Sequence, residues 1–166
     1  MIGKKIILKI IWQGGLIILV SICLGLSVNL FRSNGLPLVG NWSAQARVEQ
    51  VLGSPKTIPL SEAQKVHASG KAAFLDARPQ AFYEFGHIKG AKSLPPELYA
   101  AKSSSTLAGL SRDALIITYC DGETCDLSLE LAASLQKSGY SQVRVLVNGW
   151  TVWEAGGLPV ETGPEH

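Results

Sequence analysis

The chain has 166 residues, 46% of them apolar, with 15 Lys and Arg against 13 Asp and Glu, which suits one domain plus an appendage. Every acidic residue lies after position 41, while Lys4, Lys5, Lys9 and Arg32 precede it, so the later part carries net −2 and the overall +2 comes from the N-terminus. That split excludes a basic nucleic-acid-binding face, and a count of three cysteines excludes a disulfide scaffold.

Residues 10–31 hold no charged side chain and consist mainly of Ile, Leu, Val and Gly. As a helix they would be about 33 Å long against a hydrocarbon core of about 30 Å, which predicts a transmembrane helix behind a basic tail of residues 1–9. Trp12, Phe31 and Arg32 suit interface anchors. Three lysines before the span and one arginine after it favour a cytoplasmic N-terminus and an extracytoplasmic domain. The alternative is a signal peptide cut near Gly25 and Ser27, leaving a secreted protein, although this stretch exceeds the roughly 7–15 apolar residues usual there. Cys23 lies within the span and reads as a packing residue. Residues 32–56 read as a juxtamembrane linker. Ser33-Asn34-Gly35-Leu36-Pro37 breaks the helix, and Ala44, Val48, Val51 and Leu52 leave room for one helix over 44–52.

From Thr57 the chain alternates in the α/β manner. A short strand is predicted over 57–60, then a helix with Ser61 as N-cap, Gln64 in the capping-box position and Gly70 as its stop. His67 rides that helix with no second ligand at a metal-like spacing. Residues 72–75 form a buried strand that delivers Asp76 and Arg78 to its carboxyl end. Another strand is predicted near 91–94, then a short helix opened by Pro95-Pro96-Glu97 and a flexible connection at Ser103-Ser104-Ser105. Residues 114–119 are the central strand. Leu127, Leu131 and Leu135 mark a helix packed on the sheet and ended by Gly139, with Thr124 or Asp126 as N-cap. Val143, Val145 and Val147 form a last strand, and Asn148-Gly149 turns into Trp150 and Trp153, which read as packing residues.

Between the central strand and its helix lies Cys120-Asp121-Gly122-Glu123-Thr124-Cys125. A cysteine at the carboxyl end of a buried strand sits where α/β folds bind ligands, and the helix behind it offers N–H groups and a positive dipole end that favour thiolate. The other reading is a small apolar residue ending a core strand. The local sequence supports both.

Phe74-Leu75-Asp76-Ala77-Arg78, then Phe85-Gly86-His87-Ile88-Lys89-Gly90-Ala91, the cysteine loop, and Val147-Asn148-Gly149-Trp150 with Gly157-Leu158-Pro159-Val160 resemble, in order and spacing, the motifs of the rhodanese homology domain. The resemblance implies an α/β fold over 57–162, a central parallel sheet with helices on both faces, preceded by the transmembrane helix. It implies that Cys120 is the nucleophile of a sulfurtransferase: its thiolate takes a sulfane sulfur as a persulfide and passes it to a thiol or protein acceptor. The backbone of residues 121–125 would cradle the anionic persulfide. Asp76 and Arg78 would orient neighbouring loops, the His87 turn would be structural, and no metal or organic cofactor is required.

The loop also departs from the family. Thiosulfate-using relatives place an arginine about five residues after the cysteine, followed by a small residue; here those places hold Cys125 and Asp126. Asp121, Glu123 and Asp126 make the loop acidic, and each like charge at about 4 Å costs on the order of 4 kcal/mol against a dianion at an effective dielectric near 20. Arg78, Lys89 and Arg112 are candidates to compensate. The related phosphatases need a loop arginine, which argues against that branch. Cys125 is a candidate resolving thiol, because a curled loop brings the Cα atoms of a pair spaced five apart within disulfide range; the alternative is a thiol packed toward the core. A non-catalytic, membrane-tethered docking or redox-sensing module of the same fold is the second functional reading. The sequence leaves donor, acceptor and oligomeric state open.

Overall fold

The computed structural model describes residues 3–32, 36, 39–41, 43–53 and 56–164, in two units, residues 1–41 and 42–166. The first unit contains one helix, α1 (Lys4–Phe31), of 28 residues, reaching a mean hydropathy of 2.2. It starts at Lys4 rather than Ile10 because nothing in between breaks a helix, so most of the predicted basic tail is helical. At about 1.5 Å per residue it is roughly 42 Å long, more than the hydrocarbon core of about 30 Å. It is long and apolar enough to cross a membrane, a property that signal sequences share. Of the predicted break at 33–37, only Leu36 falls among the described residues.

The second unit opens on α2 (Ala44–Leu52), inside the segment predicted as linker. Ser43 caps it by accepting the Ala46 N–H at 3.2 Å. Val48 and Leu52, one turn apart, are buried, while Val51 points to solvent. A nine-residue helix is marginal alone, so α2 depends on this seat, and the folded unit begins ahead of Thr57. The strand predicted over 57–60 reduces to one parallel bridge between Thr57 and Val145, since Pro59 has no N–H to extend a ladder. Pro59, not Ser61, then sits at the N-cap of α3 (Leu60–Ala68).

The chain continues through β1 (Ala72–Asp76), α4 (Gln80–Phe85), β2 (His87–Ile88), β3 (Lys92–Ser93), a 3-10 turn at Pro96–Leu98, α5 (Tyr99–Thr106), β4 (Leu115–Tyr119), α6 (Leu127–Lys137), β5 (Val143–Leu146), α7 (Gly149–Ala155) and β6 (Val160–Glu161). Strands β3, β1, β4 and β5 form a parallel sheet in that order, and β2 pairs antiparallel with β6. The predicted flexible connection at Ser103-Ser104-Ser105 is instead part of α5. Tertiary anchoring overrides weak helix propensity there: the Tyr99 hydroxyl donates to Ser138 Oγ at 2.8 Å, and Thr106 and Leu107 are buried.

Alternate strand residues feed two cores. Leu75, Ile116, Val143 and Val145 face Leu131 and Leu135 of α6 together with Val48 and Leu52 of α2. Phe74, Ile117, Tyr119 and Leu146 face the other layer, with Ile58, Ala63, Trp150 and Trp153. Each buried Leu, Ile or Val contributes roughly 1.5–3 kcal/mol, and the two layers leave the carboxyl ends of β1, β4 and β5 as a shared rim.

The turn from β5 into α7 closes on that rim. Asn148 adopts a left-handed conformation (φ 53°), and a Cβ on Gly149 would stand 2.6 Å from Tyr119 Cβ and 3.1 Å from Leu146 Cγ. Gly149→Ala is expected to cost about 1–3 kcal/mol through overpacking. A lowered urea midpoint with an unchanged m-value would register it.

Candidate active site

Cys120 follows the last residue of β4, and its backbone is held on two sides. The Ala77 N–H donates to Tyr119 O at 2.9 Å, and the Trp150 N–H donates to Cys120 O at 3.0 Å. The Cys120 side chain is 1% exposed, on the layer that faces α6 and α2. Its Sγ is joined to Cys125 in a disulfide whose Cα atoms are 6.4 Å apart. The sulfur also lies 3.3 Å from Ser128 Oγ and 3.3 Å from Cys125 O.

The loop between the two cysteines is gripped from three elements. Asp121 accepts a short hydrogen bond from the Thr151 hydroxyl of α7. Gly122 turns with φ +81° and donates its N–H to Asn148 Oδ1 at 2.9 Å. Arg47 of α2 donates to Glu123 O at 2.5 Å and to Asp126 Oδ1 at 2.8 Å. Thr124 is exposed. Two N–H groups expected to cradle the sulfur are thus committed elsewhere in this disulfide form, Gly122 to Asn148 and Cys125 to Gly122 O at 3.3 Å. Asp126 occupies the N-cap position of α6 without a side-chain capping bond, because its carboxylate is turned to Arg47.

Asp76 and Arg78 lie at the same rim, at the carboxyl end of β1. Arg78 Nε reaches Asp76 Oδ1 at 3.0 Å, Nη2 reaches Oδ2 at 2.6 Å, and Nη2 also donates to Gly86 O at 2.6 Å. The guanidinium lies over Trp150, 4.5 Å from the ring centroid. Burial opposes the Arg78 charge, but the hydrogen bonds and charge of Asp76 outweigh it and hold the pKa above its ordinary value. Burial, reinforced by the Asp76 charge, likewise lifts the Tyr119 phenol well above its usual range and keeps it neutral. Arg78 is therefore a fixture of the rim, its hydrogen bonds made to Asp76 and Gly86, while its charge also reaches Asp121 after Cys120.

The other two candidate cations lie away from the loop. Lys89 pairs with Glu161 at 3.7 Å. Arg112 precedes β4, at the opposite end from Cys120, and lies 4.4 Å from the Tyr140 ring centroid. His87 is buried; its Nδ1 is 2.8 Å from Tyr83 O and its ring stacks on Tyr83, with centroids 3.7 Å apart. Tyr83, its partner in both contacts, lies outside the cysteine loop.

Sequence reasoning passed over Ser128, Asn148 as an acceptor, and Arg47. Ser128 left a signal, being a polar residue on the α6 face that buries Leu131, Ala132 and Leu135. Arg47 left a weaker one, three residues after Ala44 and four before Val51 on a helix read as linker.

The rhodanese-like domain family matches residues 60–156, more than half of the chain. The chain belongs to that family. It is 33% identical over 114 residues to an HTH-type transcriptional regulator, Rv0324, of Mycobacterium tuberculosis, covering 68% of this chain and 48% of the regulator. It is 25% identical over 165 residues to a Synechococcus elongatus protein provisionally named a thiosulfate sulfurtransferase, covering 82% of this chain and 51% of that one. The chain thus spans about half the length of both relatives. Among solved structures, the Alr3790 protein from Anabaena superposes with a TM-score of 0.53 at 26% identity, over 64% of this chain and 80% of its own. Within this rhodanese-like domain, the Cys120 loop stands at the carboxyl end of the second parallel strand in the chain's central pair, β1 and β4.

The buried pair at the rim generates a stability prediction. Asp76 and Arg78 are 0% and 4% exposed, so Arg78→Leu leaves a carboxylate uncompensated and is expected to cost about 3–5 kcal/mol. Adding Asp76→Leu should recover part of that loss. Chemical denaturation of both variants checks it, and a double variant less stable than the single one would contradict it.

Proposed function

We propose that this rhodanese-like protein is a sulfurtransferase that carries sulfane sulfur on Cys120. The observation that supports it most is the placement of Cys120, at the carboxyl end of a buried parallel strand with its sulfur beside the start of α6 and 3.3 Å from Ser128 Oγ. In the reduced protein a thiolate there gains the helix dipole and a hydroxyl donor. It attacks the outer sulfur of a donor: the Sγ–S bond forms, the donor's S–S bond breaks, and the donor leaves with the electron pair. A nucleophilic acceptor then attacks the outer sulfur of the persulfide and returns the Cys120 thiolate. The acidic loop disfavours a dianion, so uncharged or protein-bound persulfides suit this site as donors better than thiosulfate.

Cys125 supplies a second exit. Its thiolate attacks Cys120 Sγ, the Sγ–Sδ bond breaks, and hydrosulfide departs with the electron pair; the sulfane sulfur is reduced while the two cysteines are oxidised to the disulfide. A dithiol reductant then restores the protein. The same link favours a second reading, a redox-sensing module of rhodanese fold in which Cys120 never takes up sulfur. Intact-protein mass after reduction and treatment with a sulfane donor separates the two. A gain of one sulfur atom, lost in Cys120→Ala and retained in His87→Ala, is expected; no gain with any donor supports the sensor instead. Cys125→Ser should prolong the persulfide.

We further propose that α1 is an uncleaved anchor, with a cytoplasmic N-terminus and the domain on the far side. The protein is expected to sediment with membranes, resist extraction by high salt and require detergent. A salt-soluble protein whose mature N-terminus lies near Val28 would identify the helix as a removed signal.

A further inference from the structure

Among the described residues, the cation hydrogen-bonded to the acidic loop comes from outside the family segment. Arg47 lies on α2, ahead of residues 60–156, and its two terminal nitrogens contact the loop on either side of Thr124 and Cys125: Nη2 at Glu123 O, Nη1 at the Asp126 carboxylate. Its delivery is firm, because Val48 and Leu52 of the same helix are buried with Leu129, Leu131 and Leu135 of α6. The Arg47 side chain is 32% exposed, yet its Nε is buried with no partner among the described residues. A buried, unsatisfied donor is costly, so the orientation of this guanidinium follows from the two bonds that it makes to the loop.

We propose that Arg47 is the positioning residue for Cys125. By bracketing residues 123–126 it keeps the Cys125 thiol turned toward Cys120, and so sets how readily the pair closes. A flexible loop of five residues would spread Cys125 over many positions; a bidentate grip on both flanks removes most of that freedom before the bond forms, which raises the effective concentration of one thiol at the other. The grip also places one positive charge against a loop that holds Asp121, Glu123 and Asp126. In the sulfur-transfer cycle the consequence is a shorter persulfide lifetime, a corollary that rests on the function proposed above. The closing equilibrium itself does not rest on it: Cys120 and Cys125 thiols plus one glutathione disulfide give the intramolecular disulfide plus two glutathiones, with two electrons passing from the pair to glutathione.

The test uses the full-length protein in detergent, equilibrated in glutathione buffers of graded ratio, quenched by alkylation and mapped for the Cys120–Cys125 link. Arg47→Ala is expected to lower the equilibrium constant for closure about tenfold, the scale of a lost charge-assisted hydrogen bond, which is a shift of about 30 mV for a two-electron couple. Arg47→Lys keeps the charge but cannot span both acceptors, and should recover only part of the closure. Asp126→Asn should fall between Arg47→Ala and the unmutated protein. Val51→Ala, on the solvent face of the same helix, should leave the midpoint unchanged. Leu52→Ala reports what loosening α2 alone does. An unchanged midpoint in a folded Arg47→Ala, or a shift in Leu52→Ala as large as that in Arg47→Ala, overturns the proposal. Should the unmutated protein take up no sulfur from any donor, the sulfurtransferase reading fails, while the glutathione midpoints still decide the role of Arg47.

Discussion

The rim of the sheet depends on one buried guanidinium. Arg78 binds the Asp76 carboxylate through two nitrogens, takes the carbonyl of Gly86 and lies against the Trp150 ring, so the exits of β1, α4 and β5 are fixed to a single charge. A pair this deeply buried is weak support for net stability, since desolvation offsets much of the attraction. Its value here is geometric. With those loops pinned, Trp150 can bond the Cys120 carbonyl and Gly149 can press on Tyr119, and the end of β4 has one place to go.

The loop beyond that point has the opposite character. Its residues are exposed or half-buried, its turn needs the positive φ of Gly122, and its side-chain hydrogen bonds to other elements come from Thr151, Asn148 and Arg47. Rigid scaffolds with externally held loops are common at functional sites. The loop contributes acids, and the cation paired with Asp126 arrives from a helix that precedes the family segment, while Arg78 reaches Asp121 through its charge alone.

That division explains which parts of the molecule were legible in the sequence. β1, β4 and α6 were readable because their apolar residues follow the strand and helix periods, and the cysteine loop because it interrupts them. The strand predicted over 57–60 failed on Pro59, whose missing N–H outweighs the apolar run around it. The serine run within α5 was misread because residues at its two ends, Tyr99 and Leu107, anchor it through tertiary contacts that no local pattern shows. Arg47 was out of reach for the same reason on a larger scale. Its partner Asp126 is 79 positions away, and only the packing of Val48 and Leu52 brings the two together.

The seat of α2 has a practical consequence for dissecting this protein. A recombinant fragment cut at the family boundary would remove the helix that covers Leu129 and the neighbouring part of the core, and would strip Asp126 of its counter-charge. The freed apolar groove would invite self-association, and the loop around Cys120 would relax into shapes that the intact chain does not use. Measurements on such a fragment would describe a differently held loop, so the natural unit for biochemistry starts upstream of Ser43, with the helix that the family outline omits.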